Sequence, residues 1–270
     1  MNRRETHVHH AWGCLDWQEG SGLQGARPRP LAAFTFETRL EEPADMRVVA
    51  RPSHGLLWRD PGPANAASGG SPLHPVFHHA PRAADLLPPD LPALTVAGTV
   101  HEREGRFLPR CFRVTLSLGE RRALRLFRHP VAVHVGAGGS LSGHLRYQDG
   151  QPAPWSLLML TVALPPTTET LVFHAQADRN GDFLIPLQGL PLARPAAAGG
   201  PLQATLDVHC DLSLHADALP DPDADAFRPV AVGSPADGQF RQPLPLSIMP
   251  GNHVRLTTHG RDHLVLRPPP

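Results

Sequence analysis

Short runs in which apolar and polar residues alternate dominate the chain, the pattern of half-buried β-strands. Phe34–Leu40 and Met46–Ala50 alternate in this way around a Glu-Glu-Pro-Ala-Asp turn at 41–45, which predicts two strands joined as a hairpin. Leu94, Val96, Gly98 and Val100 share one face of a further strand, and Phe112, Val114, Leu116 and Leu118 share one face of the next. Arg122–Phe127 adds a shorter one. Past residue 140 the predicted strands are 141–147, 155–164, 169–177 and 181–187, bounded by the turn signals Asp149-Gly150, Pro165-Pro166 and Asn180-Gly181. Trp155–Val162 is apolar at both parities, as expected of a central strand covered on both faces. Leu206, Val208, Cys210, Leu212 and Leu214 alternate with Asp207, His209, Asp211, Ser213 and His215, which predicts one long half-buried strand.

Two stretches lack either period. Residues 1–32 hold two Trp, four Gly and an Arg-Pro-Arg-Pro run, and read as an irregular arm ordered by a partner. Residues 59–92 hold eight prolines and read as an extended Pro-rich connector. Gly136–Ser140 reads as a flexible joint, because nothing in it packs. The expected fold class is therefore all-β: an arm at 1–32 and two tandem β-sandwich-like modules, at 33–135 and 140–270, with Pro-rich loops.

Composition narrows the picture further. With 32 Pro and 24 Gly in 270 residues, few stretches are free of Pro for the length of an ordinary helix. No apolar run approaches the roughly 18–20 residues that cross a bilayer, so no membrane span is expected. Basic and acidic residues balance at 25 each, which argues against non-specific nucleic-acid binding. All the basic residues are Arg, a bias of G+C-rich coding that suggests a bacterial or phage source. The polar start at Met1–His7 leads into no apolar segment, so the expected location is the cytoplasm, or a particle released from it. Cys14, Cys111 and Cys210 are too widely spaced for a metal knuckle or a disulfide framework and read as buried small hydrophobes.

One internal repeat stands out. Gly98, Val100, Gly105 and Pro109 recur with the same spacing as Gly143, Leu145, Gly150 and Pro154, each set a strand, a tight turn and a return strand. The second copy, Gly143–Trp155, together with Asp178-Arg-Asn-Gly-Asp-Phe183 in Ala175–Leu187, resembles the opening hairpin and the D-x-x-G-x-F strand of carboxypeptidase regulatory-like, transthyretin-like β-sandwich modules. That resemblance covers about residues 140–215 and implies an accessory, non-catalytic module. Gly105-Arg-Phe-Leu-Pro-Arg-Cys-Phe112 and Leu126-Phe-Arg-His-Pro130 are similar to segments of bacterial proteins encoded beside phage-tail-like contractile injection systems.

Candidate chemistry is sparse. Seventeen histidines raise a metal site, above all His7/His9/His10, His74 with His78/His79, and His209 with Asp211 and His215 on one strand face. Against it, His209 and His215 lie about 20 Å apart on an extended strand, and solvated or packing histidines are the preferred reading. Asp178–Asp182 has the look of a calcium loop but carries Leu187 where the bidentate Glu belongs, so it reads as a hairpin turn. Asp221, Asp223 and Asp225 form a second acidic cluster. Gly20–Gly25 fits GxGxxG without the flanking strand and helix. No catalytic residue, cofactor or enzyme activity is expected. The reading is a structural or assembly subunit of a phage-tail-like contractile particle that docks on other protein subunits, with Trp12, Trp17, Pro28 and Pro30 as partner contacts and homo-oligomers within the assembly. On that view deletion of residues 1–32 leaves a folded chain. The alternative is a ligand-binding sandwich for carbohydrate or another surface polymer, and behind it a His-rich metal-binding protein.

Overall fold

The computed structural model describes residues 11–24, 31, 34–51, 53–59, 92–165, 168–191 and 200–269. The described chain is almost entirely β, with one 3-10 turn at Pro130–Ala132, and no helix in it is long and apolar enough to cross a membrane.

In the first half, β1 (Gly13–Glu19), a two-residue β2 (Gly22–Leu23), β3 (Phe36–Glu42), β4 (Met46–Ala50), β5 (His54–Arg59), β6 (Leu94–Glu102), β7 (Arg110–Leu116) and β8 (Glu120–Leu126) follow one another. A four-stranded sheet runs β4-β5-β1-β8 and a three-stranded sheet runs β3-β6-β7. Leu15, Trp17, Leu57, Leu124 and Leu126 from the first sheet bury against Phe36, Val96, Val100, Phe112 and Leu116 from the second, so the two faces close one core.

Three sequence expectations change here. Residues 1–32 are not irregular throughout, because Gly13–Glu19 forms a central strand, antiparallel to β5 and parallel to β8. Leu15 and Trp17 alternate with Asp16 and Gln18 over too short a run to stand out beside the glycines that follow. Deleting residues 1–32 therefore removes the middle of a sheet instead of a loose arm. Secondly, Phe36–Glu42 and Met46–Ala50 are strands but not a hairpin: β3 pairs with β6 and β4 with β5, and the turn between them carries the chain from one sheet to the other. The Pro-rich connector lies outside the described residues apart from its ends.

Thirdly, Gly136–Ser140 is not a flexible joint. Gly138 O accepts from Gly251 N (3.0 Å), Gly139 O from Leu187 N (3.1 Å), and Ser140 N donates to Asn252 O (3.0 Å). A Cβ on Gly138 would lie 1.9 Å from Leu187 O, and one on Gly139, whose φ is +87°, would lie 2.1 Å from Asn252 O. The glycines are there because neighbouring backbones need the space.

The second half comprises β9 (Ser140–Tyr147), β10 (Leu157–Ala163), β11 (Thr170–Gln176), β12 (Asp182–Pro186), β13 (Leu202–Cys210), β14 (Arg228–Gly233), β15 (Phe240–Arg241), β16 (Leu244–Ile248), β17 (His253–Leu256) and β18 (Leu264–Arg267). One sheet runs β12-β9-β18-β14-β13-β10-β11-β2, with β15, β16 and β17 pairing onto β14, β13 and β9. Phe183 and Ile185 of β12 share a core with Phe173 and Ala175 of β11 and with Leu158, Leu160 and Leu206, so the sheet folds back on itself. β10 is central, as expected, but only Leu158, Leu160 and Val162 are fully buried; its other face is half-buried. The predicted strand 206–215 stops at Cys210, because the Asp211 carboxylate accepts from Ser213 N (2.9 Å) and Ser213 Oγ (2.6 Å) and turns the chain.

Both copies of the internal repeat place a positive-φ glycine at the turn, Gly105 at 70° and Gly150 at 86°. They part after it. β6 returns as β7 in a hairpin, whereas β9 and β10 do not pair.

Candidate functional site

Charged and aromatic side chains converge at the seam between the two halves. It has three parts. In the first, the chain leaving β1 crosses over and β2 adds antiparallel to β11, with Leu23 opposite Phe173 and Gly22 opposite His174. Gln24 N donates to Val172 O (2.6 Å), and Leu23 packs against the second core. The second part is apolar: Trp155 packs with Leu108 and Phe127, and Leu157 and Leu214 flank them. Trp155 takes the left-handed conformation, φ 59°, held by its N–H on Asp178 O (3.1 Å) and its carbonyl accepting from Gln176 Nε2 (3.2 Å).

The third part is ionic. Arg110, only 2% exposed, donates from Nη2 to Asp221 (2.5 Å), from Nη1 to Asp223 (2.8 Å) and to the β8 carbonyl of Arg125 (2.8 Å), and from Nε to Cys111 O (3.0 Å). Arg125 donates to the other Asp223 oxygen, Oδ1, from both Nε (2.8 Å) and Nη2 (2.6 Å), while Arg110 holds Oδ2. The loop carrying these acids also covers the edge of β7, where Cys111 N donates to Pro220 O (2.9 Å). A buried guanidinium is tolerated because its planar fork meets a fixed set of acceptors. Burial opposes ionisation of Asp223, but Arg110 and Arg125 outweigh it and hold its carboxyl below the usual range.

Two sequence stretches supply Leu108, Arg110 and Phe127 on the first-half side of this seam, and they pair with each other. Leu108 N donates to Phe127 O (2.8 Å), His129 N to Arg106 O (2.9 Å), and Phe107 bridges Arg128. These are the segments 105–112 and 126–130. Arg128 is fixed in turn by Glu19 (3.0 Å) and by its N–H on Ser21 Oγ (2.8 Å).

The residues singled out in the sequence fall elsewhere. Trp12 and Trp17 are 8% and 3% exposed and belong to the first core, so they are not available as partner contacts; an aromatic pair on a β-run is drawn inward by its apolar area. Pro28 and Pro30 lie outside the described residues, as do the histidine groups at 7–10 and 74–79. His209 lies one residue before the end of β13, opposite Pro229, Asp211 caps the turn after the strand, and His215 is exposed beyond that turn, so the three do not share a strand face. Among the described residues no group of three or more His, Cys, Asp or Glu is placed to hold a metal ion. Asp178 is a turn residue, its Oδ1 accepting from Asn180 N (2.8 Å) and Asp182 N (3.0 Å). Burial pushes the Cys14 and Cys210 thiols up to about 11 and raises that of Cys111, which keeps all three protonated.

Sequence reasoning missed Arg110, Trp155 and the pairing role of Asp221 and Asp223. The Pro-spaced acids at 221–225 carried a signal, since prolines stiffen a loop that must present carboxylates at fixed positions. Comparison with protein-family models, curated proteins and solved structures finds no match to this chain.

Proposed function

We propose that this chain is a non-catalytic structural subunit of a larger protein assembly, of the phage-tail-like contractile kind. One observation carries the reading. The two segments similar to proteins encoded beside contractile injection systems, 105–112 and 126–130, are hydrogen-bonded to each other and supply Leu108, Arg110 and Phe127, which contact the second half. What the two segments share is thus a structural task, joining modules at a fixed angle, which suits a part that transmits geometry and not a reaction. The same seam also shows strand addition and buried ion pairing at work inside the chain, the devices by which β-subunits dock on neighbours. The carboxypeptidase regulatory-like resemblance of the second half fits an accessory module in such a subunit.

Ultracentrifugation of native host lysate, with antibody detection of this chain and electron microscopy of the pellet, tests the proposal. Co-sedimentation with tail-like particles is expected; a chain that stays in the supernatant while particles pellet overturns it.

A further inference from the structure

An edge strand with open backbone groups is a template for pairing with another strand, and proteins blunt such edges with charge, irregularity or cover. Most sheet ends in the described residues are blunted. β3 carries Glu37, Arg39, Glu41 and Glu42 and an irregularity between Leu40 and Glu42. β7 is covered by the 219–221 loop, and β8 by the Arg110 guanidinium on Arg125 O together with its exposed arginines. β12 ends in Pro186, and β2 is two residues long. β4 is different: Met46-Arg47-Val48-Val49-Ala50 has one charged residue, no Pro and no irregularity, and Val49 is 39% exposed.

The direction of its backbone groups follows from the ladder. Arg51 and His54 exchange both hydrogen bonds, so Arg51, Val49 and Arg47 point toward β5 and the intervening residues point away from it. On the far side of β5, Leu57 O and Ser53 O accept from β1, in keeping with this alternation. Among the described residues the outward groups on β4 are therefore the Val48 N–H and C=O, the Ala50 N–H and C=O and the Met46 C=O; the Met46 N–H is already on Pro43 O (3.1 Å).

We propose that β4 pairs antiparallel with β4 of a second copy of this chain, across a two-fold axis at Val48. The pairing is self-complementary. Val48 exchanges both bonds with its counterpart, and each Ala50 N–H donates to the other copy's Met46 C=O, giving a ladder of four hydrogen bonds. Met46 and Val48 stay on the core side, where they already pack, and Arg47 lies opposite Val49 on the outer side. Beyond the strand ends, Asp45 of each copy comes opposite Arg51 of the other. The registers two residues to either side bring Arg47 opposite Arg47 or opposite Arg51, so charge disfavours both of them against the centre at Val48. The two four-stranded sheets then become one continuous eight-stranded sheet. This pairing does not depend on the particle reading.

The test is the mass of the full chain in solution by size-exclusion chromatography with light scattering. The expected parent is a dimer, twice the 29.2 kDa chain. Ala50→Pro removes only an outward donor, so it should leave the circular dichroism and melting temperature unchanged and give a monomer. Asp45→Arg and Arg51→Asp each put like charges opposite one another and should lose the dimer, while the double exchange restores it. If Ala50→Pro fails to fold, the charge exchange decides. A monomeric parent at every concentration reached, or a dimer unmoved by the single charge changes and by a folded Ala50→Pro, overturns the proposal.

Discussion

Trp155 holds a left-handed φ of 59° while its ring fills the apolar part of the seam. For a residue with a Cβ that conformation costs about 1 kcal/mol, relieved in glycine. Both Trp155→Ala and Trp155→Gly lose the ring, at about 3–5 kcal/mol. The glycine variant should nonetheless be the more stable by about 1 kcal/mol, the reverse of their usual order; equal denaturation midpoints would contradict the strained backbone. Asp223 gives a pH-dependent prediction. Its pKa is depressed in the fold, so its stabilisation is present above the ordinary value of 3.8 and is lost as the pH falls through the folded value. Asp223→Asn should therefore destabilise the protein at neutral pH, with the gap to the parent closing below about 3.8, as read from urea midpoints. A gap that stays constant on acidification would mean that the carboxylate is not held by Arg110 and Arg125. Neither role was legible in the sequence. Whether an Asp in a polar loop is solvated or paired depends on an Arg more than a hundred positions away.

Strands, by contrast, were largely legible, because a half-buried strand writes its period of two into the sequence. β6, β7, β9 and β11 fall close to where alternation places them. The errors have local physical causes. Alternation continues through Leu212 and Leu214, yet the side chain of Asp211 offers the backbone an alternative to the ladder. The turn at 43–45 looks like a hairpin turn, but whether it closes a hairpin or changes sheets is decided by β5 and β6, far along the chain. The glycines at 136–139 illustrate the third cause: a sequence cannot distinguish glycine chosen for freedom from glycine chosen for lack of volume. Gly138→Ala should destabilise by more than about 2 kcal/mol, since its Cβ would meet Leu187 O at 1.9 Å, whereas Gly200→Ala, with nothing within 4 Å, should be neutral or slightly stabilising. Thermal melts of the two variants make the comparison, and a harmless Gly138→Ala would restore the flexible joint.

At the scale of the molecule, the all-β character was legible, as two blocks of strands on either side of a glycine-rich segment. Their union was not, since it rests on side chains and a strand that cross between the blocks: β2 on β11, Trp155 on Leu108 and Phe127, and Arg110 between Asp221 and Asp223. These contacts tie the two blocks together, as the proposed assembly role requires. Differential scanning calorimetry of the full chain tests this most directly. One body predicts a single transition in which the calorimetric and van't Hoff enthalpies agree, and Arg110→Met, which removes the ionic contacts but keeps an apolar stem, should split or broaden it. Two resolved transitions in the parent protein, unaffected by Arg110→Met, would show two independent sandwiches and contradict the account.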